Sequence, residues 1–152
     1  MNPNKSLPSR YYIDPEIHEK EKTKILYRNW HYVGHVSQVV NPGDYLTLQL
    51  GDESLIVIRG DDGELKGFFN VCRHRAHRLL EGKGNVKSIT CPYHAWNYSR
   101  DGELRHARNA DKMPGFDKSE YCLSGYQVAT ICEFIFVNLD KNATPLNDQV
   151  NG

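Results

Sequence analysis

For most of its length the chain breaks into short apolar or alternating runs separated by Gly, Pro, Asn and Asp, the pattern of β-structure. The first stretch differs. Residues 1–12 are polar, with Pro3 and Pro8, and read as an extended arm. At Asp14 a helix is predicted: Asp14 can cap it, Pro15 suits the first helical position and Glu16 faces the positive end of the dipole. Ile17, Ile25 and Leu26 give it a partial apolar stripe, and it should fade near Arg28 and Asn29. Strands are then expected at 31–36, 45–50, 54–59, 65–71 and 86–90. Turns fall at Asn41-Pro42-Gly43-Asp44 and Asp62-Gly63, and a further hairpin centres on Asp101-Gly102. Residues 106–120 look irregular, with Pro114-Gly115 as punctuation, and two more strands follow at 125–131 and 134–139. So many short strands predict an all-β domain of antiparallel sheets, packed as a sandwich or open barrel, plus a short N-terminal helix. No internal repeat is evident, and the chain beyond Asp140 is polar.

A length of 152 residues suits one domain with one core. Nineteen basic residues balance nineteen acidic ones, so nothing global points to nucleic acid or an anionic membrane. No apolar run is long enough to span a bilayer, and the N-terminus lacks the apolar core of a secretory signal, so the cytoplasm is the expected compartment. Of four cysteines, Cys122 and Cys132 read as free thiols.

The other two belong to the most informative feature. Cys72-Arg73-His74 and Cys91-Pro92-Tyr93-His94 each carry one thiolate and one imidazole, with sixteen residues between them. A C-x-H followed at this distance by C-x-x-H is what a Rieske [2Fe–2S] centre requires, with both cysteines on one iron and both histidines on the other. Neutral imidazoles in place of two thiolates leave the oxidised centre less negative, which moves its potential to roughly −150 to +300 mV from about −400 mV in plant-type ferredoxins. Cys₂His₂ also binds zinc, but structural fingers pair like with like, and the mixed pairs here fit them poorly. Pro92 stiffens the second loop, and Gly82 and Gly84 permit the turn between the loops. Arg73, Arg75 and Arg78 form a basic rim, either simply solvated or a docking surface. Trp96 is expected to pack beside the centre, and Tyr98 offers a hydroxyl toward sulfur. Arg75, His77, Tyr93, Trp96 and Tyr98 are therefore the expected surroundings of the ligands Cys72, His74, Cys91 and His94. His31 and His35 are expected on one face of a strand with no carboxylate nearby, His18 on the helix surface, and His77 and His106 near the rim.

Asn70–Leu80 (NVCRHRAHRLL), Cys91–Trp96 (CPYHAW) and residues 98–104 (YSRDGEL) resemble the N-terminal domain of the α subunits of Rieske non-haem iron oxygenases. The likeness extends to WHYVGHV at 30–36 and FIFVNLD at 134–140. Residues 89–96, 107–109 and 115–118 are similar to the branch acting on small quaternary ammonium compounds, such as carnitine and choline monooxygenases. The resemblance implies a Rieske fold of antiparallel sheets with an inserted cluster-binding subdomain. It divides the chain into an arm and helix at 1–29, a Rieske domain at 30–140 with ligand loops at 70–80 and 90–98, and a polar tail at 141–152 where a catalytic domain would begin. It implies one [2Fe–2S] cluster here. A mononuclear Fe(II), held by two histidines and a carboxylate, belongs to that further domain. No catalytic residue is expected within this chain. The implied partners are an NAD(P)H-dependent reductase or ferredoxin and an oxygenase catalytic domain in cis or trans, with a homotrimer as the family's common assembly. The implied role is electron relay for hydroxylation or demethylation of a small organic substrate; a stand-alone Rieske ferredoxin is the alternative. Respiratory Rieske proteins add a disulfide between the loops and a serine aimed at sulfide. The corresponding places here hold His77, Tyr93 and Trp96, so a potential in the lower part of the window is expected.

Overall fold

The structure is a computed structural model that describes residues 6–150. Part of the expected arm lies outside the described residues, and Arg10–Ile13 forms one helical turn, α1, in place of extended chain. The predicted helix is α2 (Pro15–Lys24), and the Asp14 carboxylate caps it by accepting from Glu16 N at 2.9 Å. Its packing departs from the expected apolar stripe. Ile25 is exposed, and the buried residue is Lys22, whose ammonium is held by Glu19 and by Asp52 in a β-turn. A lysine stem can cover apolar surface while its tip reaches carboxylates, which a pattern of apolar letters does not reveal. A short 3-10 turn, Leu26–Arg28, completes the helical segment and ends at Asn29.

The strands are β1 (His31–His35), β2 (Asp44–Leu50), β3 (Glu53–Arg59), β4 (Leu65–Phe69), β5 (Lys83–Asn85), β6 (Ile89–Thr90), β7 (Asn97–Tyr98), β8 (Leu104–His106), β9 (Gly125–Ile131) and β10 (Phe134–Asn138). They form a seven-stranded antiparallel sheet in the order β1-β10-β9-β4-β3-β2-β5 and a three-stranded sheet β6-β7-β8. Two expectations shift here. The segment read as a turn around Gly84 is strand β5, paired with Asp44–Leu46, and the strand expected at 86–90 shrinks to β6.

β4 and β9 are neighbours in the large sheet although residues 70–124 lie between them in sequence. Those residues, β5 apart, build a second lobe on the sheet. At the junction Gly67 lets the strands meet: a Cβ there would stand 2.3 Å from the Tyr126 ring. Between β7 and β8, Gly102 adopts φ +85°, and a Cβ there would lie 2.5 Å from the Phe68 ring of the sheet.

β3 is buried on both faces. Leu55, Ile56, Val57 and Ile58 are all fully inaccessible. Leu55 and Val57 join Val39, Leu46, Tyr126, Ile135 and Val137 in one core, while Ile56 and Ile58 join Cys72, Cys91, Trp96 and Tyr98 in the other. Strand alternation thus divides one run between the two cores, and each aliphatic side chain contributes about 1.5–3 kcal/mol of burial. Lys66 bridges Asp62 at 2.9 Å and Asp101 at 2.6 Å, and Arg100 bridges Asp61 at 2.8 Å, tying the β3–β4 turn to the β7–β8 hairpin.

The polar tail is not free chain. Trp30 Nε1 donates to Thr144 O at 3.0 Å, Gln127 Nε2 donates to Asp140 O at 2.7 Å, and Leu146 is buried at the start of a last helix, α3 (Leu146–Val150).

Candidate metal centre

The first Cys/His loop leaves β4 and the second joins β6 to β7. Both close the same turn. Cys72 N donates to His77 O at 2.8 Å and Ala76 N to Cys72 O at 3.0 Å; Cys91 N donates to Trp96 O at 2.8 Å and Ala95 N to Cys91 O at 3.0 Å. Each turn ends on an alanine with positive φ, 53° at Ala76 and 57° at Ala95. CRHRAH and CPYHAW are therefore copies of one backbone shape, although no repeat was expected. The signal was an alanine four residues after each cysteine. Its small side chain keeps the left-handed cost near the low end of about 1–2 kcal/mol.

The turns bring four donors together as two pairs. Cys72 and Cys91 are 3% and 2% exposed and lie in the same buried core cluster. The His74 and His94 rings lie 4.8 Å apart, edge to face. His94 Nδ1 is buried with no hydrogen-bond partner, as a ligating nitrogen would be. Among the described residues, no three His, Cys, Asp or Glu side chains gather closely enough to hold a single ion. A sulfur pair beside an imidazole pair suits two irons better than one zinc.

The electrostatics agree. Burial pushes the Cys72 thiol up, against the pull of a Tyr98 hydrogen bond, so its thiolate needs a cation to take up the charge. Burial, then the charges of His94 and Arg75, push His74 down, which favours the neutral imidazole that ligates metal. Tyr98 is fully buried, which raises its hydroxyl well above the usual tyrosine range and keeps it protonated. Its oxygen accepts from Arg73 N at 3.1 Å and lies 3.2 Å from Cys72 Sγ. Toward a thiolate, which has no proton of its own, the Tyr98 hydroxyl is the donor to the sulfur.

The supports of the two loops differ. Asn70, 2% exposed, closes the first: its Oδ1 accepts from Leu79 N at 3.0 Å and Leu80 N at 2.9 Å, and its Nδ2 donates to Leu80 O at 2.7 Å and Ser54 Oγ at 3.2 Å. The second is carried by the β6–β7 ladder, Ile89 opposite Tyr98 and Thr90 opposite Asn97. Arg73, Arg75 and Arg78 are exposed, as is Tyr93, while Trp96 is buried. An open depression of about 620 Å³ lies against His74 and His94, bordered by Arg75, Arg108 and Met113.

The remaining histidines stand outside the set of four donors. His77 is exposed, with its ring 5.5 Å from Tyr93, and His106 pairs with Asp111 at 2.5 Å. His18 is exposed on α2. A register shift between Tyr32 and Gly34 interrupts the expected alternation between His31 and His35. His35 also has a carboxylate in reach, Glu133 at 3.9 Å, contrary to expectation: the β9–β10 hairpin delivers it. Asn70, Ala76 and Ala95 were given no role by sequence reasoning, and neither were Phe116 and Tyr121, which pack against Trp96.

An antiparallel base bearing a two-loop lobe of paired thiols and imidazoles defines a β-class iron–sulfur protein. The chain belongs to the Rieske [2Fe-2S] domain family, whose model matches residues 29–118. It is 41% identical over 148 residues to the carnitine monooxygenase oxygenase subunit of Escherichia coli, covering 97% of this chain and 40% of that protein. The glycine betaine monooxygenase oxygenase subunit of Pseudomonas aeruginosa is 38% identical over 94% of this chain and 33% of its own length. The apo crystal structure of the quaternary ammonium Rieske monooxygenase CntA superposes with a TM-score of 0.91 at 40% identity, covering 97% of this chain and 43% of that one. The chain thus spans well under half the length of these relatives. No helix among the described residues is long and apolar enough to cross a membrane.

Proposed function

We propose that Cys72 and Cys91 hold one iron of a [2Fe–2S] cluster, that His74 and His94 hold the other, and that residues 30–140 form the unit carrying it. The observation behind this is the meeting of a buried sulfur pair and an imidazole pair on two loops of identical turn geometry, with the buried His94 Nδ1 left unpartnered. The cluster supplies reversible uptake of one electron. The protein's own groups set how readily that happens. Tyr98 directs its hydroxyl proton at Cys72 Sγ, favouring the more negative reduced state, and Arg73 N–H donates to the same hydroxyl oxygen. Both cysteines are buried in the core beneath the loops, while the imidazole side opens on the depression bordered by Arg75 and Arg108.

On this reading the chain is the electron-carrying part of an oxygenase subunit. It receives electrons from an NAD(P)H-dependent reductase or a ferredoxin and serves a mononuclear Fe(II) in a catalytic domain, in cis or in trans. The relatives' names support a small quaternary ammonium substrate, hydroxylated or demethylated there. The resemblance in sequence to oxygenase α subunits implies a homotrimeric setting, and the cytoplasm suits four unpaired cysteines. Anaerobic reconstitution followed by absorption, EPR and metal analysis tests the assignment. Two irons per chain and the spectrum of mixed sulfur and nitrogen ligation are expected; colourless, iron-free protein or bound zinc would overturn it.

A further inference from the structure

We infer that Trp96 is a positioning residue for His74, and that Phe116 and Tyr121, outside both ligand loops, set the indole plane against which that imidazole lies. This rests on the ligand assignment above. The His74 ring is stacked on the indole, with centroids 4.8 Å apart and planes within 10°. Trp96 is 3% exposed and is pinned at its edge by Phe116, at 5.8 Å and 79°, and by Tyr121, at 5.6 Å and 80°. Those two rings stack on each other at 4.8 Å and 22°. The 3-10 turn Lys118–Tyr121, capped by Asp117 accepting from Ser119 N at 2.9 Å, holds Tyr121 in this wall. An imidazole backed in this way cannot tilt without breaking a buried aromatic stack.

His94 has no such wall. Besides His74 itself, its ring neighbour is Tyr93, at 3.8 Å and 39°, and Tyr93 is 57% exposed. The two histidines are therefore inequivalent, His74 clamped from inside and His94 flanked by a ring that solvent can reach. Because ring orientation governs overlap of the ligating nitrogen with its iron, the clamp fixes the spin density reaching one nitrogen.

Pulsed EPR on the reduced, reconstituted full chain reads the nitrogen couplings of the two histidines separately. Phe116→Leu and Tyr121→Leu should each change one coupling and leave the other in place. Tyr121→Phe, which keeps the ring, should reproduce the parent, and Tyr93→Leu should leave the coupling moved by the leucine variants untouched. Identical couplings in the parent and both leucine variants would overturn the inference. Should a leucine variant fold without its cluster, Trp96→Phe decides: the smaller ring should change one coupling, and no change would count against the clamp. A parent without any cluster sinks the ligand assignment instead, so the two failures are distinguishable.

Discussion

The loop at 72–77 and the loop at 91–96 have the same backbone turn on unlike supports. The second grows from a β-ladder, so its ends are fixed by backbone pairing and its Trp96 enters the core. The first leaves the paired strand β4, but no ladder joins its two ends, and one buried amide, Asn70, does that work across an eleven-residue loop. Histidine placement differs as well, two residues after the cysteine in one loop and three in the other. The same turn shape is thus reached through distributed backbone bonding on one side and a single side chain on the other. That concentrates the first loop's vulnerability at one position.

The comparison breaks most completely if the shared metal is lost. Cys91→Ser should abolish the visible spectrum and raise hydrogen exchange in both loops together, because metal binding contributes local folding energy to each. Exchange rising in the second loop alone would deny that the loops share a centre. Next, Asn70→Leu leaves the Leu79 and Leu80 N–H groups without their partner and should cost about 2–4 kcal/mol in a denaturant titration. The matching change in the other loop, Asn97→Ala, removes bonds to Ser88 and Thr90 only, and should cost about 1 kcal/mol or less. Equal costs would refute the difference in supports.

The shared turn itself is probed at its alanines. Ala95→Val and Ala76→Val should each destabilise by about 1–2 kcal/mol, since a β-branched residue at positive φ is strained. Glycine at either place should stabilise by about 0.5 kcal/mol, the strain relieved less the larger backbone entropy lost. Tyr98→Phe removes the proton aimed at Cys72 and should lower the reduction potential by about 40 mV, the equivalent of about 1 kcal/mol for one electron. The smallest effect lies away from both loops. The Lys22 hydrogen bond holds the Asp52 carboxyl below the ordinary carboxylate range. Its stabilising contribution is complete above about pH 4 and disappears as pH falls through the lowered folded value. Acid should therefore loosen α2 from the β2–β3 turn, and Asp52→Asn should abolish that step in pH-dependent hydrogen exchange of α2.

Much of the fold was legible because strand patterns are local. The Asp14 cap, the Asp62-Gly63 and Asp101-Gly102 turns and the runs in β2, β3, β9 and β10 each declare themselves within a few residues. β5 did not, since Lys83, Gly84 and Asn85 form a strand only because β2 offers an unpaired edge. Nor did α2 show its attachment, which depends on a carboxylate thirty residues away. The polar tail likewise gained its place from Trp30 and Gln127.

By itself the sequence carried the donor set on which the proposed centre rests: two cysteines and two histidines at the spacing of a mixed-ligand iron–sulfur site, on a β framework. Those are properties of residue type and separation along the chain. Tertiary structure decided which proton faces the sulfur, which histidine has an aromatic wall and which side chain closes the first loop. Each of these depends on distances between residues remote in sequence, set only when two cores close on opposite faces of β3.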